Sequence, residues 1–300
     1  MFSLSTSWNS ALHHNGRDLV NEIKRIGLDT IELNFALTEA VVADILSLKE
    51  ALGIKVSSLH NICPLPEEIE PEEASPDYYS LASPDAEERE LAVAAAKNTI
   101  RWAKKFGAKA VILHTGRVQI KDRTKDLAAL AGDKKAFDGL KAAMIRERDE
   151  KKDGYLDNVI KSLKGLVPFA AEASVSLGIE NRYYYREIPL ADELEIIFKN
   201  FAAGTLYYWH DAGHAEVFDR LGLARHKDLL DRFSNRLLGV HLHDIIGMTG
   251  DHKAPGAGTF DFKILKPYIK KDTIKVIEAH QPATAEEIRE SVRYLTKILG

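Results

Sequence analysis

Short apolar, β-rich runs recur along the chain, each preceded by an amphipathic stretch that stops at a glycine. Arg25-Ile26-Gly27-Leu28 leads into Asp29–Leu33, Ala51-Leu52-Gly53-Ile54 into Lys55–His60, Lys105-Phe106-Gly107-Ala108 into Lys109–His114, and Ser176-Leu177-Gly178-Ile179 into Glu180. Glycine commonly ends a helix by taking the left-handed conformation, so each run reads as a helix end followed by a strand. Helix, glycine, strand, loop is the order of parallel α/β folds. Eight strands are expected, near Ser3–Trp8, Thr30–Asn34, Lys55–His60, Ala110–Thr115, Gly178–Arg182, Thr205–Asp211, Leu238–His243 and Ile274–Glu278. Helical periodicity follows them, most clearly over Leu37–Leu52, Asp85–Phe106, Tyr155–Leu177 and Ala285–Leu299. Eight such units predict an α/β fold of the closed (β/α)8 TIM-barrel type, as one domain over residues 1–300.

Two connections are long. Residues 61–84 hold five prolines and many glutamates, and residues 116–154 are highly charged, with an extra helix expected around Lys134–Lys151. The β–α order resumes after each, so neither marks a domain boundary. Loops after the third and fourth strands lie on the barrel's C-terminal face, where they serve as lids and binding loops or as surface decoration.

Composition narrows the classes. Of 300 residues, 45% are apolar, enough for the core of a single barrel. The formal net charge of −4 argues against a nucleic-acid partner, although a local basic patch stays open. The single cysteine, Cys63, excludes an internal disulfide and fits a reducing compartment. Met1–Thr6 shows neither a basic nor a long apolar leader, and no run of about 18 apolar residues occurs. A cytoplasmic protein without a membrane segment is expected, and a homo-oligomer is left open.

Chemistry enters through the placement of histidines and acids. Of eleven histidines, only His226 falls in an evident helix. His60 and His114 end the third and fourth strands, His210 and His214 flank the end of the sixth, and His241 and His243 end the seventh. His252 lies in the next loop, and His280 follows the eighth strand. Glu32, Glu180, Asp211 and Glu278 close the second, fifth, sixth and eighth strands. Taken singly, each has an ordinary explanation: His60 a satisfied core histidine, Glu180 a partner of Arg182, Asp211 a helix cap. Taken together they occupy strand end after strand end where Val, Ile or Leu is usual, and such ends converge on one face. Imidazole with carboxylate suits Zn²⁺, Mn²⁺ or a related divalent ion.

These motifs resemble the xylose isomerase-like barrel superfamily, which includes sugar isomerases, epimerases and endonuclease IV. The resemblance runs from Ile31-Glu32-Leu33-Asn34 to Ile277-Glu278-Ala279-His280. It is carried by Glu180-Asn181, by Asp211-Ala212-Gly213-His214, by Val240-His241-Leu242-His243-Asp244, and by Asp251–Phe262 with its Pro-Gly-x-Gly turn opening the next helix. It implies a metal held by Glu180, Asp211, Glu278 and a seventh-strand histidine, His241 or His243. Mn²⁺ or Zn²⁺ is expected, with Mg²⁺ or Co²⁺ as alternatives. Glu180 and Glu278 would act as acid and base, and His214 would position the substrate. His60, His114, His214 and His252 also resemble extra zinc ligands of the endonuclease IV branch. That branch has an Asp two residues before the last histidine, where this chain has Gly250.

Three functions follow as expectations. The first is a metal-dependent isomerase or epimerase of a sugar or sugar phosphate, with His60, His114, His252 and Arg182 as further metal or substrate contacts. Arg117 and Arg186 are then phosphate contacts or solvated surface charges. The second is an endonuclease IV-like phosphodiesterase acting on abasic DNA, in which Tyr183-Tyr184-Tyr185-Arg186 stacks on a base; the same run equally walls a sugar pocket or packs a loop. The third, a catalytically dead binding barrel, would show lost strand-end acids, and none is lost.

Overall fold

The computed structural model describes all 300 residues. Its strands are β1 (Ser3–Ser5), β2 (Thr30–Leu33), β3 (Lys55–His60), β4 (Ala110–Leu113), β5 (Ser176–Glu180), β6 (Tyr207–Asp211), β7 (Leu237–Leu242), β8 (Asp244–Ile246), β9 (Gly250–Lys253) and β10 (Ile274–Ile277). Eight of them close into a parallel barrel in the order β1-β10-β7-β6-β5-β4-β3-β2, as the sequence predicts. The helices are α1 (Gly16–Ile26), α2 (Glu39–Leu52), α3 (Ala86–Phe106), α4 (Thr124–Ala129), α5 (Lys134–Asp149), α6 (Asp153–Ala173), α7 (Ala191–Lys199), α8 (Ala212–Arg220), α9 (His226–Phe233) and α10 (Ala285–Leu299). None is long and apolar enough to cross a membrane.

Strand side chains alternate between two environments. Leu4, Ile31, Val111, Leu177, Val240 and Ile277 are buried in the main core cluster with helix residues such as Leu19, Ile100 and Leu163. Ala110, Ile112, Trp209, Ile274 and Val276 form a separate cluster inside the barrel. Trp209 fills that interior. A Cβ at Gly178 would lie 3.2 Å from Trp209 Cβ, and one at Gly239 would lie 2.3 Å from Trp209 Cζ3, so glycines on both neighbouring strands make room for the ring. Burying an indole contributes roughly 4–6 kcal/mol. Its ring meets His241 in a T-shaped contact, with centroids 5.1 Å apart, so the plug supports the floor of the site.

Several boundaries differ from the sequence reading. The first strand stops at Ser5, and Thr6–Trp8 turn into a 3-10 helix. Gly27, Gly53 and Gly107 cap helices in the left-handed region, with φ of 99°, 59° and 68°. Gly178 instead sits within β5, and Ser174 takes the left-handed cap of α6 at φ 59°. Ser176 and Leu177 are therefore strand rather than helix. The charged loop carries α4 as well as the expected α5. The β8–β9 hairpin was not legible, and the Pro-Gly-x-Gly turn opens only a 3-10 turn, Phe262–Leu265. His214, read outside any helix, lies in the first turn of α8.

Candidate metal centre and active site

Neighbouring strands end in register, and that brings the acids together. Asp211 on β6 pairs with His241 on β7, Glu180 closes β5, and Glu278 follows β10. One ligand atom from each of Glu180, Asp211, His241 and Glu278 lies within 4.8 Å of the others. All four residues are buried. His241 is their hub: Nδ1 lies 2.5 Å from Glu180 Oε1, 3.1 Å from Glu278 Oε2 and 3.7 Å from Asp211 Oδ2. Nε2 points away, 3.0 Å from Glu32 Oε1, while Ser58 Oγ donates to Glu32 Oε2 at 2.7 Å. A ligating histidine commonly donates its other N–H to a carboxylate, which fixes tautomer and ring orientation. Glu32 is placed to accept the Nε2–H of His241 in this way.

The charge balance fits a cation. Burial pushes the Glu278 carboxyl up to about 8; His241 and His252 pull against this, and Glu180 and Asp211 add to it. Burial disfavours the His241 imidazolium, yet Glu278, Glu32 and Glu180 outweigh it and hold its pKa well above the ordinary value. Burial also opposes ionisation of Glu180, but His241 and His60 keep it well below the usual carboxylate range. A divalent cation answers the same excess of buried carboxylate without a proton. Three carboxylates and one imidazole match the donor preferences of Mn²⁺, Zn²⁺ and their neighbours.

His243 lies beside this group. Its Nε2 contacts Asp211 Oδ1 and Oδ2 at 2.9 and 3.1 Å, and its Nδ1 accepts the backbone N–H of His252 at 2.9 Å. The ring proton therefore sits on Nε2 and is donated to Asp211. Asp211 also caps α8, accepting the N–H of His214 at 2.6 Å. Asp211 therefore caps a helix and also lies among the ligand-like groups.

Further ligand-like groups flank the four: His60, His114 and Glu180 on one side, and His214, His243 and His252 on another, with His252, Glu278 and His280 adjoining. Glu180 is shared, since its Oε2 lies 2.6 Å from His114 Nε2 and 3.4 Å from His60 Nε2. His60 Nδ1 donates to the Asn61 carbonyl at 2.9 Å, and His214 Nδ1 to the Asn181 carbonyl at 3.2 Å. His252 stacks between His243 and His280, with ring centroids 4.2 and 3.9 Å apart. Burial, helped by His252 and His243, pushes His280 down to about 3. Gly250 brings no side chain, and Asp251 contacts His252 at 2.9 Å.

Arg182 does not pair with Glu180. Its Nη2 bridges Asp77 Oδ2 at 2.5 Å and Glu187 Oε1 at 2.7 Å, and its Nε and Nη1 have no partner. Asp77 also meets His114 Nδ1 at 3.3 Å. The proline-rich loop thus delivers a buried acid to the site. Glu32 was visible as a strand-end acid but not as a site residue, and neither Asp77 nor Glu187 carried a local signal. A cavity of about 450 Å³ opens here, lined by His60, His114, Glu180, His214, His252 and Glu278 and by Arg117, Tyr183, Tyr184 and Arg186 from the loops. Tyr185 turns away and packs near Phe218, at 6.3 Å between rings.

No curated protein matches the sequence. Among solved structures, a D-tagatose 3-epimerase-like protein superposes with a TM-score of 0.71 at 17% identity, covering 99% of this chain and 96% of that one. A 3-keto-D-glucoside 4-epimerase from E. coli gives 0.68 at 16% identity, covering 99% and 98%. A protein from Thermus thermophilus soaked with ZnCl2 gives 0.60 at 20% identity, covering 99% and 96%. At these identities the likeness carries the fold. A family model, the xylose isomerase-like TIM barrel, matches residues 20–298, and the chain belongs to that family.

Proposed function

We propose that this protein is a divalent-metal-dependent epimerase or isomerase of a sugar or sugar phosphate. One observation carries the reading: three carboxylates and an imidazole converge beside a cavity of about 450 Å³, the size of a small-molecule site. Sugar epimerases among the structures of the same fold support it.

Glu180, Asp211, His241 and Glu278 would hold the cation, which when bound supplies Lewis acidity toward a carbonyl and its neighbouring hydroxyl. Moving the proton is the work of the chain's own residues. One of Glu180 and Glu278 takes the proton from the carbon beside the carbonyl, and the C–H electron pair enters the carbonyl system. The other returns a proton, to the opposite face of that carbon in an epimerase or, in an isomerase, to the former carbonyl carbon, while the hydroxyl proton of the first carbon passes to the former carbonyl oxygen. Each must come within about 2.6–3.2 Å of the atom it serves. His214, tied by Nδ1 to Asn181, keeps Nε2 for a substrate hydroxyl. Glu32 and His243 orient His241 and Asp211, and Asp77 with Glu187 fixes Arg182 at the cavity edge.

The test is hydrogen exchange from solvent. Metal-loaded protein in D2O, given a panel of ketoses and ketose phosphates, should place deuterium on the carbon next to the carbonyl of its substrate. Chelation and Glu278→Gln should each abolish the exchange. A panel that shows no metal-dependent exchange counts against the reading.

A second reading has its own observation. The flanking His60–His114–Glu180 and His214–His243–His252 groups, with Glu180 shared, suit two or three ions in an endonuclease IV-like phosphodiesterase. Gly250 lacks the acid of that branch, and the net charge of −4 is unfavourable for DNA. Metal-dependent incision of an abasic duplex, abolished by His114→Ala, would reverse the order of the two.

A further inference from the structure

We infer that the ligand of this cavity carries an anionic group, a phosphate or a carboxylate, gripped by Arg117 and Arg186 with Lys125. The inference deepens the sugar reading and rests on it for the rest of the ligand; the cluster of cations stands independently.

Arg117 comes from the loop after β4 and Lys125 from α4 beyond it, and Arg186 comes from the loop after β5. A short backbone ladder joins the two loops. Arg117 pairs with Glu187 in an antiparallel bridge, Val118 N–H donates to the Arg186 carbonyl at 2.8 Å, and Ile188 N–H donates to the Gly116 carbonyl at 2.9 Å. Thr115 Oγ1 adds a bond to the Ile188 carbonyl at 2.7 Å. The backbone at both arginines is thus fixed, which lowers the ordering cost of using them.

All three cations line the same cavity as Glu180 and Glu278. None of the three forms an ion pair, because every acid lining that cavity is committed elsewhere. Asp77 and Glu187 hold Arg182, Glu180 and Glu278 face His241, and Asp251 contacts His252. The Nε of Arg186 is buried and has no hydrogen-bond partner. Buried donors are nearly always satisfied, so the Arg186 guanidinium has donor capacity that nothing in the chain takes up. A planar guanidinium fork matches a phosphate or carboxylate in two-point contact. The cavity then has two chemically distinct parts: ligand atoms for a cation, and unpaired positive charge for an anion.

The test is calorimetric, on metal-loaded full-length protein. Fructose, fructose 6-phosphate and glucuronate are compared, with inorganic phosphate as a sugar-free probe, on wild type, Arg117→Gln and Arg186→Gln. Fructose 6-phosphate or glucuronate should bind at least tenfold more tightly than fructose, and which of the two does so identifies the group. Each substitution should cut that ratio by about tenfold, the usual size of a lost charge-assisted contact. Arg186→Lys keeps the charge without the fork and should fall between; unchanged melting would show that the variants are folded. Phosphate binding weakened by both substitutions, with no sugar bound at all, would keep the anion site and sink the sugar reading. Equal binding of neutral and charged sugars, or phosphate binding indifferent to Arg186→Gln, would overturn the anion site and leave the sugar reading standing. Binding of an abasic duplex in preference to all of these, lost in Arg186→Gln, would reassign the cations to a nucleic-acid backbone and overturn the small-molecule assignment.

Discussion

Glu32 Oε1 and His241 Nε2 face each other at 3.0 Å inside the barrel, with neither side chain reached by solvent. This contact sets which imidazole nitrogen is left for the acids of β5, β6 and the segment after β10. Glu32→Ala should weaken metal binding about 10- to 100-fold, the range found when a carboxylate behind a ligating histidine is removed. Glu32→Gln, whose amide oxygen can still accept the N–H, should lose less. Competition against a chromogenic chelator measures both, and unchanged affinity in Glu32→Ala would contradict the role.

Gly213 tests the placement of His243. A Cβ at Gly213 would sit 1.9 Å from His243 Cε1, so Gly213→Ala must push the imidazole off Asp211. Overpacking of this kind costs about 1–3 kcal/mol, and metal affinity should fall with it. Gly139 in α5 is the control: nothing lies within 4 Å of its added Cβ, and Gly139→Ala should stabilise by about 0.4–1 kcal/mol. Thermal melts with and without metal separate the two effects.

The first of these sites shows how far the sequence could be read. Glu32 sits in an apolar strand among other strand-end acids, so its direction into the barrel was legible. Its partner was not, because β2 and β7 are not neighbours in the barrel and only closure brings their ends together. Glycine punctuation was legible wherever the glycine serves a left-handed cap, as at Gly27, Gly53 and Gly107. It misled at Gly178, where the missing side chain serves Trp209 across the barrel instead. Asp77 was invisible for a related reason. A loop aspartate has no periodicity, and its burial exists only once the loop folds over Arg182 and His114.

Metal binding should compete with protons. In the metal-free protein, burial holds the Glu278 carboxyl up to about 8, so at neutral pH it carries a proton that a cation must displace. Burial works against the His241 imidazolium, but the carboxylates around it outweigh this and raise its pKa. Both shifts are upward, so raising the pH removes competitors and strengthens binding. The gain should be about tenfold per pH unit for each proton displaced, with the Glu278 part levelling off above about 8. Calorimetry in buffers of different ionisation enthalpy counts the protons; a pH-independent affinity would contradict the scheme.

Arg148 anchors α5 over the site-bearing loop. It is buried, pairs with Glu193 of α7, and donates from Nη2 to the Glu187 carbonyl at 2.7 Å. Arg148→Met leaves Glu193 buried without its countercharge and should destabilise by about 3–5 kcal/mol. Replacing Glu193 by Gln together with Arg148→Met should recover part of that loss. Urea unfolding of the single and double variants checks it, and a single variant as stable as wild type would contradict the assignment.

The most direct test of the whole account is the metal content of the protein, counted by elemental analysis after loading and desalting. The account predicts one divalent ion per chain, lost in Asp211→Ala and in His241→Ala and kept in His60→Ala. A chain that retains no ion, or one whose ion survives both of the first two substitutions, would contradict the assigned centre. Two or three ions per chain, reduced by His60→Ala and His114→Ala, would favour the phosphodiesterase over the epimerase.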